Sequence, residues 1–259
     1  MTIQRVHSKW AKTKVLLADP IIKPYIPDTR SFNRATVEQM LQQYQMIYVK
    51  PVRGTFGKGV IRVENRADAA SPYFFQSEEK QYRFKSFDEM YRKLLKVKRR
   101  RPYLSQQGIV LLKYNNRRFD LRVMVQKNPR NQWETTGIIG RLAHTRRIVT
   151  NYHNGGTPLP VEKLLQRNMS TDQYRAVLAQ LHDQGVLIAK ALEKQYPRIK
   201  EIGVDIALDQ NLKPWVLEVN TLPDVFLFRK LHDRKIFRRM YAYAVAYGRY
   251  HLRKPKMKN

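Results

Sequence analysis

Two short runs of apolar residues, one on each side of position 210, have the pattern of paired β-strands. Residues 202–208 and 214–219 are rich in Val, Ile and Leu. Between them lie Asp209, Gln210 and Asn211, which are residue types that favour turns. The pattern therefore predicts a β-hairpin.

One face of the predicted hairpin carries oxygen ligands. Side chains alternate between faces along a strand, so Glu218 and Asn220 would share a face with Val216, while Leu217 points the other way. A tight turn would place Asp205 close to Val216, on the same face as Glu218 and Asn220. Two carboxylates and an amide oxygen suit Mg²⁺, although acidic residues on a hairpin more often form a solvated face.

The rest of the chain mixes helical and extended patterns, which predicts an α+β protein. Residues 1–34, which contain three spaced prolines, are expected to be irregular connecting structure. The predicted helices lie at 36–44, from Ser86 to about 101, and at 171–196, followed by helical stretches in a basic segment at 224–258. A capping box begins the second helix at Ser86, and Thr171 can cap the third. Besides the hairpin, strands are predicted at 46–50, 60–63, 104–114, 119–125 and 133–142, with short strands within 73–85.

A glycine-rich loop between the strands at 46–50 and 60–63 has the composition of a phosphate-binding loop. Gly54, Gly57 and Gly59 allow backbone N–H groups to approach an anion, and Lys58 adds positive charge. A Walker loop or a dinucleotide fingerprint requires a helix after the glycines, and here a strand follows. We therefore expect a hairpin that covers phosphates, with Lys50 reaching in from the preceding strand; the alternative is an ordinary β-hairpin.

Composition adds a strong positive charge to this picture. The 259 residues include 50 Lys and Arg against 21 Asp and Glu, which gives a net charge of +29. Such a field attracts nucleic acid, an anionic membrane surface, an acidic polymer or a polyphosphate, and charge alone does not choose between them. No apolar run is long enough to span a membrane, and the absence of cysteine is compatible with a reducing, cytoplasmic location.

The order of these motifs resembles that of the YheC/YheD spore-coat-associated family of ATP-grasp enzymes. The motifs are a lysine on a strand, a glycine-rich hairpin, an Asp-x-Arg strand, a second arginine strand, an Asn-x-x-x-Gly-Gly loop and an Asp hairpin with Glu-x-Asn. The resemblance implies two α+β subdomains that sandwich a nucleotide. It places them at about 46–105 and 106–223 within an ATP-grasp core of residues 35–223, between the connecting segment 1–34 and a basic helical segment at 224–259.

The resemblance also implies roles for individual residues. Asp205, Glu218 and Asn220 match metal-binding positions, and Asp120, Arg122, Arg141 and Asn151 match catalytic positions around the phosphates and the acceptor. Arg122 has an alternative role as an ion-pair partner, with Asp120 as one candidate. The implied ATP-binding positions are Lys9, Lys50, Gly54, Gly57, Lys58, Gly59, Gln106, Gln107, Ile109, Gly155 and Gly156.

The implied function is ATP- and Mg²⁺-dependent ligation of a carboxylate to an amine through an acylphosphate. Because of the net charge, we expect an acidic small molecule, peptide or polymer as substrate. The alternatives are an ATP-grasp phosphotransferase and a non-catalytic coat or nucleic-acid-binding protein, in which the basic segment with its tyrosines contacts phosphates and stacks bases. Docking of that segment to an anionic membrane is compatible with each of them. The expected location is the cytoplasm, with association to the spore coat.

Overall fold

The computed structural model describes residues 2–66, 70–145, 147–150, 155–167 and 169–251. The strands are β1 (Thr29–Ser31), β2 (Met46–Pro51), β3 (Ile61–Asn65), β4 (Tyr73–Ser77), β5 (Lys80–Phe84), β6 (Tyr103–Gln107), β7 (Lys113–Tyr114), β8 (Arg117–Lys127), β9 (Trp133–Leu142), β10 (Thr157–Leu159), β11 (Glu201–Leu208) and β12 (Pro214–Asn220). The helices are α1 (Lys9–Leu17), α2 (Arg34–Tyr44), α3 (Phe87–Val97), α4 (Val161–Leu165), α5 (Thr171–Gln195) and α6 (Arg234–Ala246), with short 3₁₀ helices at Lys23–Tyr25 and Val225–Lys230.

The first sheet is antiparallel, with strand order β1-β6-β2-β3-β4-β5. Helices α2 and α3 pack on it, and they bury apolar residues such as Met40 and Leu94 against Val49 and Phe75. Helix α3 begins where Ser86 accepts a hydrogen bond from the backbone N–H of Glu89. This sheet presents the glycine-rich loop, which joins β2 to β3.

The second sheet has the order β10-β9-β8-β11-β12, and β7 pairs with β8 at its side. Along β8, Phe119, Leu121 and Val123 alternate towards a core that helix α5 covers with Leu181 and Ile188. The alternation of apolar residues at 119, 121, 123 and 125 in the sequence predicts this apolar face, and the packing confirms it. Helices and antiparallel sheets share the fold, as the predicted α+β class requires.

The opposite face of the second sheet is covered by the segment that follows the hairpin. Met124 and Ile139 pack with Phe228 of the 3₁₀ helix and Met240 of α6 in a small core of their own. Helix α6 is therefore an integral layer of this half of the molecule. None of the helices in the described residues is both long and apolar enough to cross a membrane.

Residues 1–34 are more regular than predicted. Ser8 caps helix α1 by accepting a hydrogen bond from the N–H of Ala11, and β1 pairs with β6 in the first sheet. The prediction of irregular structure is wrong because α1 has no clear apolar stripe and β1 has only three residues. Both are held by contacts with distant parts of the chain, which a local pattern does not reveal.

Other predicted boundaries also differ in the structure, and helix α3, expected to reach about residue 101, ends at Val97. The strand expected at 104–114 ends at Gln107, and residues 108–112 connect the two sheets before β7 begins. Helix α5 is capped by Ser170, with a reciprocal bond from Gln173, and not by Thr171. Ser170 and Thr171 are adjacent, and both have hydroxyl groups that can cap a helix. The apolar pattern that follows does not distinguish between them.

Candidate functional site

The hairpin places its two carboxylates directly opposite each other. Asp205 of β11 pairs in register with Glu218 of β12, and Gly203 pairs with Asn220. The prediction that Asp205 faces Val216 is wrong, because a bulge follows Asp205 and pairs Val216 with the next residue, Ile206. The bulge turns Val216 into the core, whereas Glu218 and Asn220 stay on the face of Asp205.

The turn of the hairpin explains this register. The Asp209 carboxylate accepts hydrogen bonds from the backbone N–H groups of Asn211 and Lys213 and from the indole N–H of Trp215. Leu212 has a φ of 62° in the same turn. The turn is therefore wider than the tight loop expected from the sequence.

Three adjacent strands of the second sheet carry a row of buried charges. Arg122 of β8 donates to Asp205 over 2.6 Å, and Arg141 of β9 binds Asp120 at 2.6–2.8 Å and Asp205 at 3.0 Å. Thr150 donates to the Asp120 carboxylate as well. The expected alternative pairing of Arg122 with Asp120 is not observed, because cross-strand register places Arg122 opposite Asp205 and Asp120 opposite Arg141.

These contacts set the charge state of the row. Burial alone would raise the pKa of Asp205, but the positive charges of Arg122 and Arg141 outweigh it and lower this pKa to about 2. The carboxylate is consequently ionised at neutral pH, and it is the ionised form that serves as a metal ligand.

A cavity separates this row from the first sheet. The first sheet and the connection after it contribute Lys50, Gln106, Gln107 and Ile109 to the cavity wall, and the second contributes Asp120, Arg141, Thr150, Asp205 and Glu218. The Lys50 ammonium donates to the side-chain oxygen of Gln106, and burial lowers the pKa of Lys50 to about 8. Predicted residues from both halves of the chain thus meet in one cavity.

Lys9 joins the glycine-rich loop to the hairpin. Its ammonium donates to the carbonyl of Gly54 over 3.0 Å and forms an ion pair with Glu218. The backbone N–H of Lys9 also donates to the carbonyl of Val52, before the loop. Gly57, with a φ of 68°, lies at the edge of the cavity.

A second cavity lies on the far side of the same residues. It shares Gly57, Arg141 and Glu218 with the first cavity. Its other lining residues include Arg5, His7, Lys12, Arg122, Asn220, Thr221 and the segment 222–224. The two cavities therefore meet at the glycine-rich loop and the charged row.

Some predicted site residues do not line either cavity. Lys58 is exposed, and neither Lys58 nor Gly59 belongs to the described lining of either cavity. Gly155 and Gly156 do not belong to the described lining of either cavity. Asn151 lies outside the described residues. For these positions the assigned roles stay predictions.

Thr150 and Lys12 are among the residues of the site that the sequence did not identify. Thr150 binds Asp120, and Lys12 lines the second cavity while its ammonium donates to the carbonyl of Val6 over 2.7 Å. Burial lowers the pKa of Lys12 to about 8. Lys12 lies three residues after Lys9, so the helical spacing would have placed both on one face had α1 been recognised.

The described residues contain no group of three or more His, Cys, Asp or Glu side chains suited to a metal ion. The set formed by Asp205, Glu218 and Asn220 has two carboxylates and one amide, and all three are hard oxygen donors. The Glu218 side chain is 25% exposed and faces both cavities, so its carboxylate is accessible to an ion. The chemistry of this donor set fits Mg²⁺.

Two curated proteins of Bacillus subtilis (strain 168) are similar to this chain. It is 26% identical over 246 residues to the endospore coat-associated protein YheD, across 92% of this chain and 53% of YheD. It is 23% identical over 216 residues to the endospore coat-associated protein YheC, across 83% of this chain and 59% of YheC. The chain thus spans between half and three-fifths of the length of these relatives.

Among solved structures, the ATP-grasp ligase PsnB, determined in complex with a minimal precursor, has a similar fold. The match covers 93% of this chain and 60% of PsnB, with a TM-score of 0.50 and 12% sequence identity. A family model described as YheC/D like ATP-grasp matches residues 1–250. On this evidence the chain is a member of the YheC/D-like ATP-grasp family.

Proposed function

We propose that this chain is an ATP- and Mg²⁺-dependent ligase that joins a carboxylate to an amine. The observation that supports it most is the meeting of two cavities at Gly57, Arg141 and Glu218. In the proposal, the first cavity holds ATP between the sheets and the second holds the carboxylate substrate. A reaction at the γ-phosphate requires this arrangement, because the nucleotide and the acceptor must approach the same atom.

The residues of the first cavity suit the parts of ATP. Ile109 and the end of β6 offer an apolar surface and amide groups to adenine, while Lys50, Lys9 and the glycine-rich loop approach the phosphates. Asp205, Glu218 and Asn220 would hold Mg²⁺, which supplies positive charge to the phosphates. The ion pair between Lys9 and Glu218 would open when the metal–nucleotide complex binds.

The proposed reaction has two steps. A carboxylate oxygen of the substrate attacks the γ-phosphorus, the bond to the β–γ bridging oxygen breaks, and ADP leaves. The amine nitrogen then attacks the acyl carbon, the phosphate leaves with the electron pair of the carbon–oxygen bond, and the nitrogen loses a proton. Arg141 lines both cavities and Arg122 lines the second, where the two guanidinium groups stabilise the oxygen atoms that gain charge.

The proposed substrate is acidic, since the chain carries a net charge of +29. YheD and YheC are named as endospore coat-associated proteins, which supports association of this chain with the spore coat; we propose a cytoplasmic location together with that association. A phosphotransferase would use the same cavities, and the products distinguish the two reactions. A ligase releases phosphate only when both carboxylate and amine are present, whereas a phosphotransferase yields a phosphorylated acceptor.

The non-catalytic alternative is less compatible with the packing of the C-terminal tyrosines. The Tyr247 hydroxyl donates to Glu201 and accepts a hydrogen bond from Gln126, and the Tyr243 hydroxyl donates to Glu134. These side chains stabilise the fold and are not free to stack on bases.

The substitution Glu218→Gln tests the proposed function. It removes one anionic ligand with little change of shape, so we expect Mg²⁺ to lose its effect on ATP affinity in calorimetry. Phosphate release in the presence of both an acidic carboxylate substrate and an amine should fall at least about 100-fold, the scale associated with a single charged group at a reacting phosphate or oxyanion.

The matched control is Glu193→Gln, because the Glu193 carboxylate binds Lys127 and Trp133 instead. It should retain metal-dependent ATP binding. Equal behaviour of the two variants would overturn the metal assignment.

A further inference from the structure

The segment that follows the hairpin connects the second cavity to the protein surface. Leu222, Pro223 and Leu227 line the cavity. Between them, Phe226 points outwards with 42% of its surface exposed, and Leu222 is 57% exposed. One short stretch of chain therefore forms both a wall of the cavity and an apolar surface beside its opening.

Phe226 belongs to a cluster of four aromatic rings, which we call the aromatic patch (Phe226, Phe237, Tyr241 and Tyr250). The Phe226 ring centroid lies 5.7 Å from that of Phe237 and 5.6 Å from that of Tyr250, and Tyr241 stacks on Tyr250 at 5.4 Å. Mutual packing fixes the rings, so a ligand that binds them meets a preformed surface.

The surroundings of the aromatic patch are positively charged. Residues 224–251 contain seven Lys and Arg against two Asp. The guanidinium of Arg229 lies 5.7 Å from the Phe237 ring centroid, and Arg238 is exposed on the same helix. An apolar surface with a basic rim is complementary to a ligand that combines aromatic or large aliphatic groups with negative charge.

The lining of the second cavity likewise combines positive charge with apolar surface. Arg5, Lys12, Arg122 and Arg141 contribute positive charge to its lining, against Glu218 and Asp224. Val6, Phe56 and Leu227 contribute apolar surface. A carboxylate on a short apolar stem, such as an acidic side chain, matches this lining.

We propose that the carboxylate substrate is an acidic polypeptide that is recognised at two points. One acidic side chain enters the second cavity, and an aromatic or large aliphatic side chain of the same polypeptide binds the aromatic patch. The inference rests on the proposed function, since it places the reacting carboxylate in the second cavity. A polypeptide fits better than nucleic acid because Tyr241 and Tyr250 stack on each other, so one face of each ring is already occupied and is lost to base stacking.

Polymer binding tests the inference without ATP. Fluorescence anisotropy compares a labelled random copolymer of glutamate and tyrosine with poly-glutamate of the same length. We expect the copolymer to bind about tenfold more tightly, the effect of one well-packed aromatic anchor. Phe226→Ser should abolish this preference and Phe226→Tyr should keep it, with the unfolding midpoint measured for each variant.

The matched control is Leu95→Ser. Leu95 lies on helix α3, which packs on the first sheet, and its exposure of 44% is close to that of Phe226. It should leave the preference intact. The inference is overturned if the two polymers bind equally, if Phe226→Ser keeps the preference, or if poly(U) or anionic vesicles bind more tightly than the copolymer.

A calorimetric titration of the wild-type protein with ATP separates this inference from the proposed function. Absence of ATP binding would overturn the function, while the polymer comparison would still decide the recognition of an acidic polypeptide.

Discussion

At the scale of single residues, the site is a set of buried and partly exposed charges that neutralise one another. Asp205 lies between Arg122 and Arg141, and Glu218 is paired with Lys9. Buried ion pairs contribute little net stability, because the cost of removing both charges from water offsets their attraction. Their arrangement at the junction of two cavities is therefore better explained by ligand binding than by stability.

Lys50 leads to a prediction about pH. Burial lowers the pKa of Lys50 to about 8, although the negative charges of Glu218, Asp205 and Asp120 raise it in part. Phosphate binding requires the protonated ammonium, so ATP affinity should fall as the pH rises above 8, by at most about tenfold per pH unit. Calorimetry between pH 7 and pH 9.5 measures the change.

Two variants identify the responsible group, because Lys12 also has a pKa near 8. Lys50→Arg keeps its charge over this range and should flatten the profile, whereas Lys12→Met should retain the decline. A steep decline in Lys50→Arg would contradict the assignment.

At the scale of elements, caps and bulges decide where side chains point. The bulge after Asp205 places Glu218 opposite Asp205 and turns Val216 into the core. At α5, the Ser170 hydroxyl accepts from the N–H of Gln173, and the Gln173 side chain accepts from the N–H of Ser170. A cap of this kind adds about 1 kcal/mol to the stability of a helix. The bulge changes which residues of the hairpin lie opposite each other.

The cap of α5 can be tested with adjacent hydroxyl residues. Ser170→Ala should lower the free energy of unfolding in urea by about 1 kcal/mol, because the backbone N–H of Gln173 loses the hydroxyl that accepts its hydrogen bond. Thr171→Ala, at an exposed position inside the helix, should change it by less than about 0.5 kcal/mol. The reverse order would show that Thr171 is the cap.

At the scale of the whole molecule, two sheets form the candidate site, and two of the described segments connect them. Residues 108–112 connect β6 to β7. The N-terminal stretch is the second connection: the backbone N–H of Val6 donates to the Thr221 hydroxyl, and the backbone N–H of Lys9 donates to the carbonyl of Val52, beside the glycine-rich loop. The position of one sheet relative to the other determines whether Lys50 and Glu218 can contact the same ligand.

Gly108 is the predicted weak point of this arrangement. A Cβ atom there would lie 2.7 Å from the carbonyl oxygen of Met46, so the connection would have to move away from β2. Because Gln107 and Ile109 line the first cavity, Gly108→Ala should lower ATP affinity about tenfold in calorimetry. Val110→Ala, at a residue that is 62% exposed in the same connection, should have no effect. Unchanged affinity in Gly108→Ala would contradict this account.

The sequence by itself determined the features that depend on local pattern. Alternation predicts the apolar face of β8, turn residues predict the hairpin of Asp205 and Glu218, and the order of motifs identifies the family. These features need only the periodicity of side chains along a strand or the composition of a loop.

Tertiary structure alone decided the pairing of the charges and the course of the N-terminal stretch. Arg122 meets Asp205 through cross-strand register, and α1 brings Lys9 to Glu218, 209 positions away in the sequence. Likewise, α6 becomes the layer that covers Met124. These contacts are selected by packing between distant segments, whose energies are not encoded in any local period of the chain.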